Sequence, residues 1–152
     1  MAMVIKLIAC VLVLIAICDI RYGLIYDWLV VLLALLSLIP LLEGQMNWQN
    51  ACLGSALGCG LLWILRWASH GGLGLGDVKM TAALGLWLGW ENILLCLLTA
   101  SMLGVLYGSG MLLCHRLERD TPIPFGPFLA IGAWLAWSEG DCVRSFMEQV
   151  LW

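Results

Sequence analysis

The chain has 152 residues, 63% of them hydrophobic and 11% charged, with a net charge of −3. That is about one domain's worth of chain, and it is more apolar than a soluble domain requires. It reads as a single membrane-embedded unit over 1–152. The apolar runs do not alternate in polarity, which excludes a barrel and leaves an all-α fold, and the lack of a basic tract excludes nucleic acid as a partner.

Apolar runs fall at 2–18, 24–42, 51–67, 78–90, 93–114 and 123–137, against a usual ~20 residues per span. They predict a polytopic protein of about six transmembrane helices, several of them short. "LIAC" at 7–10 has the look of a lipoprotein cleavage box, but only one Lys and no apolar core precede it. The first run is therefore read as a retained helix. The fourth run is the shortest and is expected to begin in the glycine loop before it, or to have its ends covered by neighbouring helices. Pro40 reads as a helix bend or end, and the tail from Ser138 as a short interfacial helix.

Basic residues orient the spans. The connections at 19–27, 66–79 and 115–122 carry Arg21, Arg66, Lys79, Arg116 and Arg119, whereas the opposite side has Lys6 and Arg144 among five acids. The first set is expected in the cytoplasm and both termini outside. Small residues four positions apart, in GSALG (54–58), GLWLG (85–89) and GVLYG (104–108), predict close helix packing. Tryptophans near span ends, such as Trp28, Trp48, Trp67, Trp90 and Trp137, read as an interfacial belt. The seven cysteines are scattered singly, with no C-x-x-C, so they are read as small hydrophobes rather than as a disulfide or metal framework.

Against this apolar background three acids stand at the cytoplasmic boundary. Asp19 follows the first run, Asp27 opens the second and Asp77 precedes the fourth, inside "GGLGLGDVKM". Carboxylates at helix ends on one membrane face can converge, and two that share a proton can act as base and acid on one substrate. The plainer alternative is boundary ion pairing, Asp19 with Arg21 or Arg66 and Asp77 with Lys79. Other chemistries fit less well. The glycine run matches neither a P-loop nor a dinucleotide fingerprint, and there is no H-E-x-x-H. Ser109 and His115 fall on different faces of a helix, and His70 reads as a solvated loop residue.

These motifs resemble those of the type IV prepilin peptidases, a family of intramembrane aspartic proteases. Gly74-Leu75-Gly76-Asp77-Val78-Lys79 is similar to that family's Gly-x-Gly-Asp-[VIFA]-Lys motif at every position. "DIRYGLIYDWL" (19–29) resembles its other aspartate motif, and "IPFGPFLAIGAWLA" (123–136) resembles the segment that opens its last helix. The resemblance implies Asp19 and Asp77 as catalytic residues, with Gly74, Gly76, Lys79 and Asp27 supporting the loop or the substrate. It implies removal of the leader from prepilin-like or pseudopilin precursors, typically after a glycine, at the cytoplasmic face of the bacterial inner membrane. It implies no cofactor and no metal, and its partners are those substrates and the lipid bilayer. Tyr26 stands where the family has proline, which leaves open how the second helix begins. The N-terminal extension with a cysteine-containing loop, which accompanies N-methylation in longer members, is not in this sequence. The resemblance is thus to the compact form, and methyltransferase activity is in question.

Two readings from other classes compete. A small proton-coupled carrier would use the same aspartates as relay groups in a polar path. A non-catalytic secretion scaffold would tolerate their replacement. The clustering of acids at helix ends on one face favours the peptidase.

Overall fold

In a computed structural model, which describes residues 2–69, 72–113 and 124–151, the chain is a bundle of helices. They are α1 (Ala2–Tyr22), α2 (Asp27–Leu42), α3 (Trp48–Ala68), α4 (Leu75–Leu113) and α5 (Gly126–Leu151). The all-helical expectation holds. Three helices, Met3–Tyr22, Trp48–Ala68 and Leu75–Leu113, are long and apolar enough to cross a membrane, and Asp27–Leu42 is apolar but shorter. The tail is no separate element, because the backbone of α5 runs through it to Leu151.

Local chemistry sets the helix ends. Gly23 takes a left-handed φ of 62° and its N–H closes on Asp19 O at 2.9 Å, the usual glycine stop after a helix. Tyr26 then precedes α2 with φ −71° and ψ 128°. That φ is one a proline ring would impose, so the tyrosine enters α2 along the path that proline takes. Pro40 lies in the last turn of α2, where it cannot donate to the carbonyl four residues back, and the helix ends two residues later at Leu42.

Residue Gly89 interrupts α4 with φ 76° and ψ 177°. Its neighbours show what the break does. Trp87 stacks on Trp137 with ring centroids 6.1 Å apart, while Gly140 packs on Asn92 and Gly104 on Phe125. The segment before Gly89 therefore runs parallel to α5 and the segment after it runs antiparallel, so the chain turns back at this residue. We call the two segments α4a (75–88) and α4b (90–113). The six apolar runs of the sequence correspond to α1, α2, α3, α4a, α4b and α5.

The turn is held from α3. Asn50 Oδ1 accepts the Trp90 N–H at 3.0 Å, capping α4b from a neighbouring helix. Below it, α3 and α4a meet backbone to backbone. A methyl group on Gly54 would lie 2.6 Å from Gly85 O, and one on Gly58 would lie 2.9 Å from Thr81 Cγ2. Two of the three small-residue spacings thus do what the sequence implies. GVLYG differs, since the nearest atoms to a Cβ on Gly104 are in the rings of Phe125 and Phe128, no closer than 3.5 Å.

Segment α4a is the centre of the bundle. Met80, Leu84 and Leu88 are buried in one core with Ile8, Ile15, Leu29, Leu33, Leu62, Ile93 and Leu129. Replacing Asn50 by Ala is expected to lower stability by about 0.5–2 kcal/mol, because it removes the cap on the Trp90 N–H. Gly85→Val is expected to cost more, since backbone cannot yield to the added carbons. Unfolding titrations in mixed micelles would rank the two, and a larger loss for Asn50→Ala would show that the cap, not the glycine contact, fastens α3 to α4.

Candidate active site

The C-terminal ends of α1 and α3 and the N-terminal ends of α2, α4a and α5 gather at one end of the bundle. Asp19 lies in the last turns of α1 and Asp77 in the first turn of α4a. Each is only 7% exposed, and Asp77 lies within reach of the Asp19 charge. The fold therefore brings the two aspartates of the sequence motifs to one place.

Their surroundings differ. Asp19 Oδ2 accepts the backbone N–H of Gly126 at 2.8 Å in a buried contact. Asp77 Oδ1 is buried without a hydrogen-bond partner among the described residues. The Asp77 backbone carbonyl accepts from Thr81 Oγ1 at 2.7 Å, which ties down the first turn of α4a.

Glycines let backbone close around the pair. A Cβ on Gly74 would lie 2.9 Å from Asp77 Oδ2, and a Cβ on Gly76 would lie 2.7 Å from the Cβ of Ile25. Gly76 thus seats the start of α4a against the α1–α2 connection, while Gly74 lets the loop touch the carboxylate. The loop is also held from α3, where the Arg66 guanidinium donates to Leu73 O.

The ion pairs weighed as the plainer alternative do not form among the described residues. Lys79 pairs with Asp27 instead, its Nζ 2.8 Å from Oδ1 and 2.9 Å from Oδ2. Arg66 is taken by the Leu73 carbonyl, and Asp19 by a backbone amide. Lys79 and Asp27 are 52% and 70% exposed, so they brace the outside of the site rather than its interior. Ser109 returns its hydroxyl to Leu106 O in its own helix, 3.1 Å away. His70, His115, Arg116 and Arg119 lie outside the described residues.

Two contributors were not among the sequence candidates. Arg66 was noted for its charge, and nothing local signals that it reaches a carbonyl seven residues on. Gly126 stood only within the quoted PFGPF segment. A glycine directly before a proline at a helix start was the available signal.

Apolar helices closing around a buried aspartate pair define a helical membrane protein with a carboxylate-based site. The comparisons narrow this further. The model of the type IV leader peptidase family matches residues 6–109. The chain is 39% identical over 120 residues to a prepilin leader peptidase/N-methyltransferase of Aeromonas salmonicida, covering 75% of this chain and 41% of that protein. It is 37% identical over 148 residues to one of Xanthomonas campestris pv. campestris, covering 93% and 52%. A Bacillus subtilis relative of the same name is 33% identical over 136 residues, covering 89% and 55%. The chain spans about half the length of these relatives. No solved structure matches it significantly. The chain belongs to the type IV leader peptidase family.

The exposed Lys79–Asp27 pair is expected to contribute less than about 1 kcal/mol. Lys79→Met should therefore shift thermal unfolding in detergent much less than Gly76→Val, which forces added carbons into Ile25 at a cost of ~1–3 kcal/mol. The reverse order would make the ion pair, not the glycine contact, the fastening between α4a and the α1–α2 connection.

Proposed function

We propose that the chain is an intramembrane aspartic endopeptidase that removes the leader from type IV prepilin-like or pseudopilin precursors, at the cytoplasmic face of the bacterial inner membrane. The observation that carries this reading is the burial of Asp19 and Asp77 near one another at one end of an apolar bundle, in a chain of the leader peptidase family. In this reading α1, α2, α3, α4a, α4b and α5 cross the bilayer in alternation, with both termini outside. The reversal at Gly89 and the basic residues beside the aspartates support that arrangement. The proposal covers the peptidase step alone, since the match takes in about half of relatives named for two activities.

The two carboxylates share one proton and hold a water between them. The ionised member takes a proton from that water as it attacks the scissile carbonyl. The protonated member donates to the developing oxyanion, and no covalent enzyme intermediate forms. Gly74 and Gly76 keep the loop slim enough for an extended substrate backbone to approach Asp77. Asp27 and Lys79 hold the rim. A carrier would spread its acids through the depth of several helices, whereas these gather at one end, and a scaffold has no use for two buried carboxylates side by side.

Cleavage of a model prepilin by the purified protein in lipid tests the proposal. Asp19→Asn and Asp77→Asn are each expected to abolish leader removal, a loss of about 10²–10⁴-fold or more, while insertion and thermal unfolding stay as in the wild type. Asp27→Asn is expected to slow cleavage only severalfold. Retained cleavage in either buried-site variant, or an equal loss at Asp27, would defeat the assignment of the pair.

A further inference from the structure

We propose that Gly126, at the start of α5, is a positioning residue of the active site: its backbone N–H fixes the Asp19 carboxylate for catalysis. The inference rests on the aspartic peptidase reading and adds to it a group from a third helix.

The first backbone donors of a helix have no partners within it, and those of α5 must find them elsewhere. Phe128 and Leu129 both donate to Phe125 O, each at 3.1 Å. Pro127 has no N–H to give. Gly126 is left with a buried donor, and that donor meets Asp19 Oδ2 at 2.8 Å. An amide donating to a carboxylate is among the stronger hydrogen bonds. The negative side chain also sits where the dipole of α5 favours it. Asp19 thus caps a helix distant from it in sequence.

The amide is held in place from behind. Gly132 packs so tightly on α4b that an added Cβ would lie 2.6 Å from Cys96 O. Phe128 rests on Tyr107 with ring centroids 5.6 Å apart, and on Phe125 at 6.4 Å. The position of the N–H is therefore imposed by α5 packing on α4b, and the carboxylate adapts to it. There is no slack at the contact, because a Cβ on Gly126 would lie 2.7 Å from Asp19 Oδ2 and 3.2 Å from its Cγ.

The consequence is orientation. A carboxyl group turns freely about its last torsion, and the Gly126 N–H stops that rotation by taking one oxygen. The other oxygen of Asp19 is then free for the water shared with Asp77, whose own Oδ1 is buried and unpartnered among the described residues.

The test uses the full chain in lipid nanodiscs with a model prepilin. Gly126→Ala adds the obstructing methyl group. A second variant replaces Gly126 by glycolic acid during cell-free translation, exchanging the N–H for an ester oxygen and adding nothing. Gly60→Ala, where an added Cβ meets nothing within 4 Å, is the neutral control. The expected result for the ester variant is a fall in kcat of about ten- to a hundredfold, a KM within about twofold of wild type, and a displaced pH–rate profile. A loss of packing alone would leave that profile in place. Separately, the resonance of a ¹⁵N-labelled Gly126 amide is expected to move in Asp19→Asn. A cleaving ester variant with wild-type kcat and pH profile overturns the inference, as does an amide resonance indifferent to Asp19→Asn. Absence of cleavage by the wild type would instead sink the peptidase reading, and the resonance would still decide the contact.

Discussion

Two carboxylates within reach of each other inside an apolar bundle cost free energy twice, once for leaving water and once for setting like charge beside like charge. An isolated pair of this kind would push its helices apart. Here the penalty is offset by backbone. One acid takes the first amide of α5, the glycine loop lies against the other, and α4a is held from below by the Thr81 hydroxyl and from the side by Ile25. No cationic side chain among the described residues pairs with either buried acid. That choice matters, since a buried salt bridge would satisfy the charge and end its chemistry.

The packing that makes this possible is remote from the acids. Where Gly54 and Gly58 of α3 meet Gly85 and Thr81 of α4a, the two backbones touch. A central helix pressed that closely has little freedom to slide, and its first turn carries Asp77. The reversal at Gly89, capped by Asn50, returns α4b alongside α5 and so determines where Gly126 stands. Rigidity at the far end of the bundle is converted into placement at the near end.

Much of this was legible in the sequence, and the rest was hidden for identifiable reasons. Apolar runs, helix ends and the two aspartate motifs are local patterns, and they emerged as helices and as a convergent pair. The glycine spacings foretold close packing where both partners were small, at Gly54 and Gly85, but not at Gly104, where the facing residues are phenylalanines. The ion pairs that stood as the alternative do not form among the described residues, because charge alone does not say who is nearest. Lys79 lies two residues from Asp77 yet turns to Asp27, 52 positions away in the chain. The amide of Gly126 was hidden most deeply, since glycine before proline marks a helix start but does not name the amide's partner, 107 positions away.

The lengths of the helices carry a further consequence. Segment α4a has fourteen residues before Gly89 and α2 has sixteen, about 21 and 24 Å at ~1.5 Å per residue. A bilayer's hydrocarbon core is ~30 Å thick. These two short elements carry Asp77 and Asp27 at their starts. In the proposed six-span topology, a bilayer matched to them dimples there, with headgroups and water drawn inward at a modest elastic cost. On the proposed reading, hydrolysis needs water where lipid excludes it, and a pair of short helices would supply it by lowering the surface of the membrane to the acids rather than by boring a channel down to them.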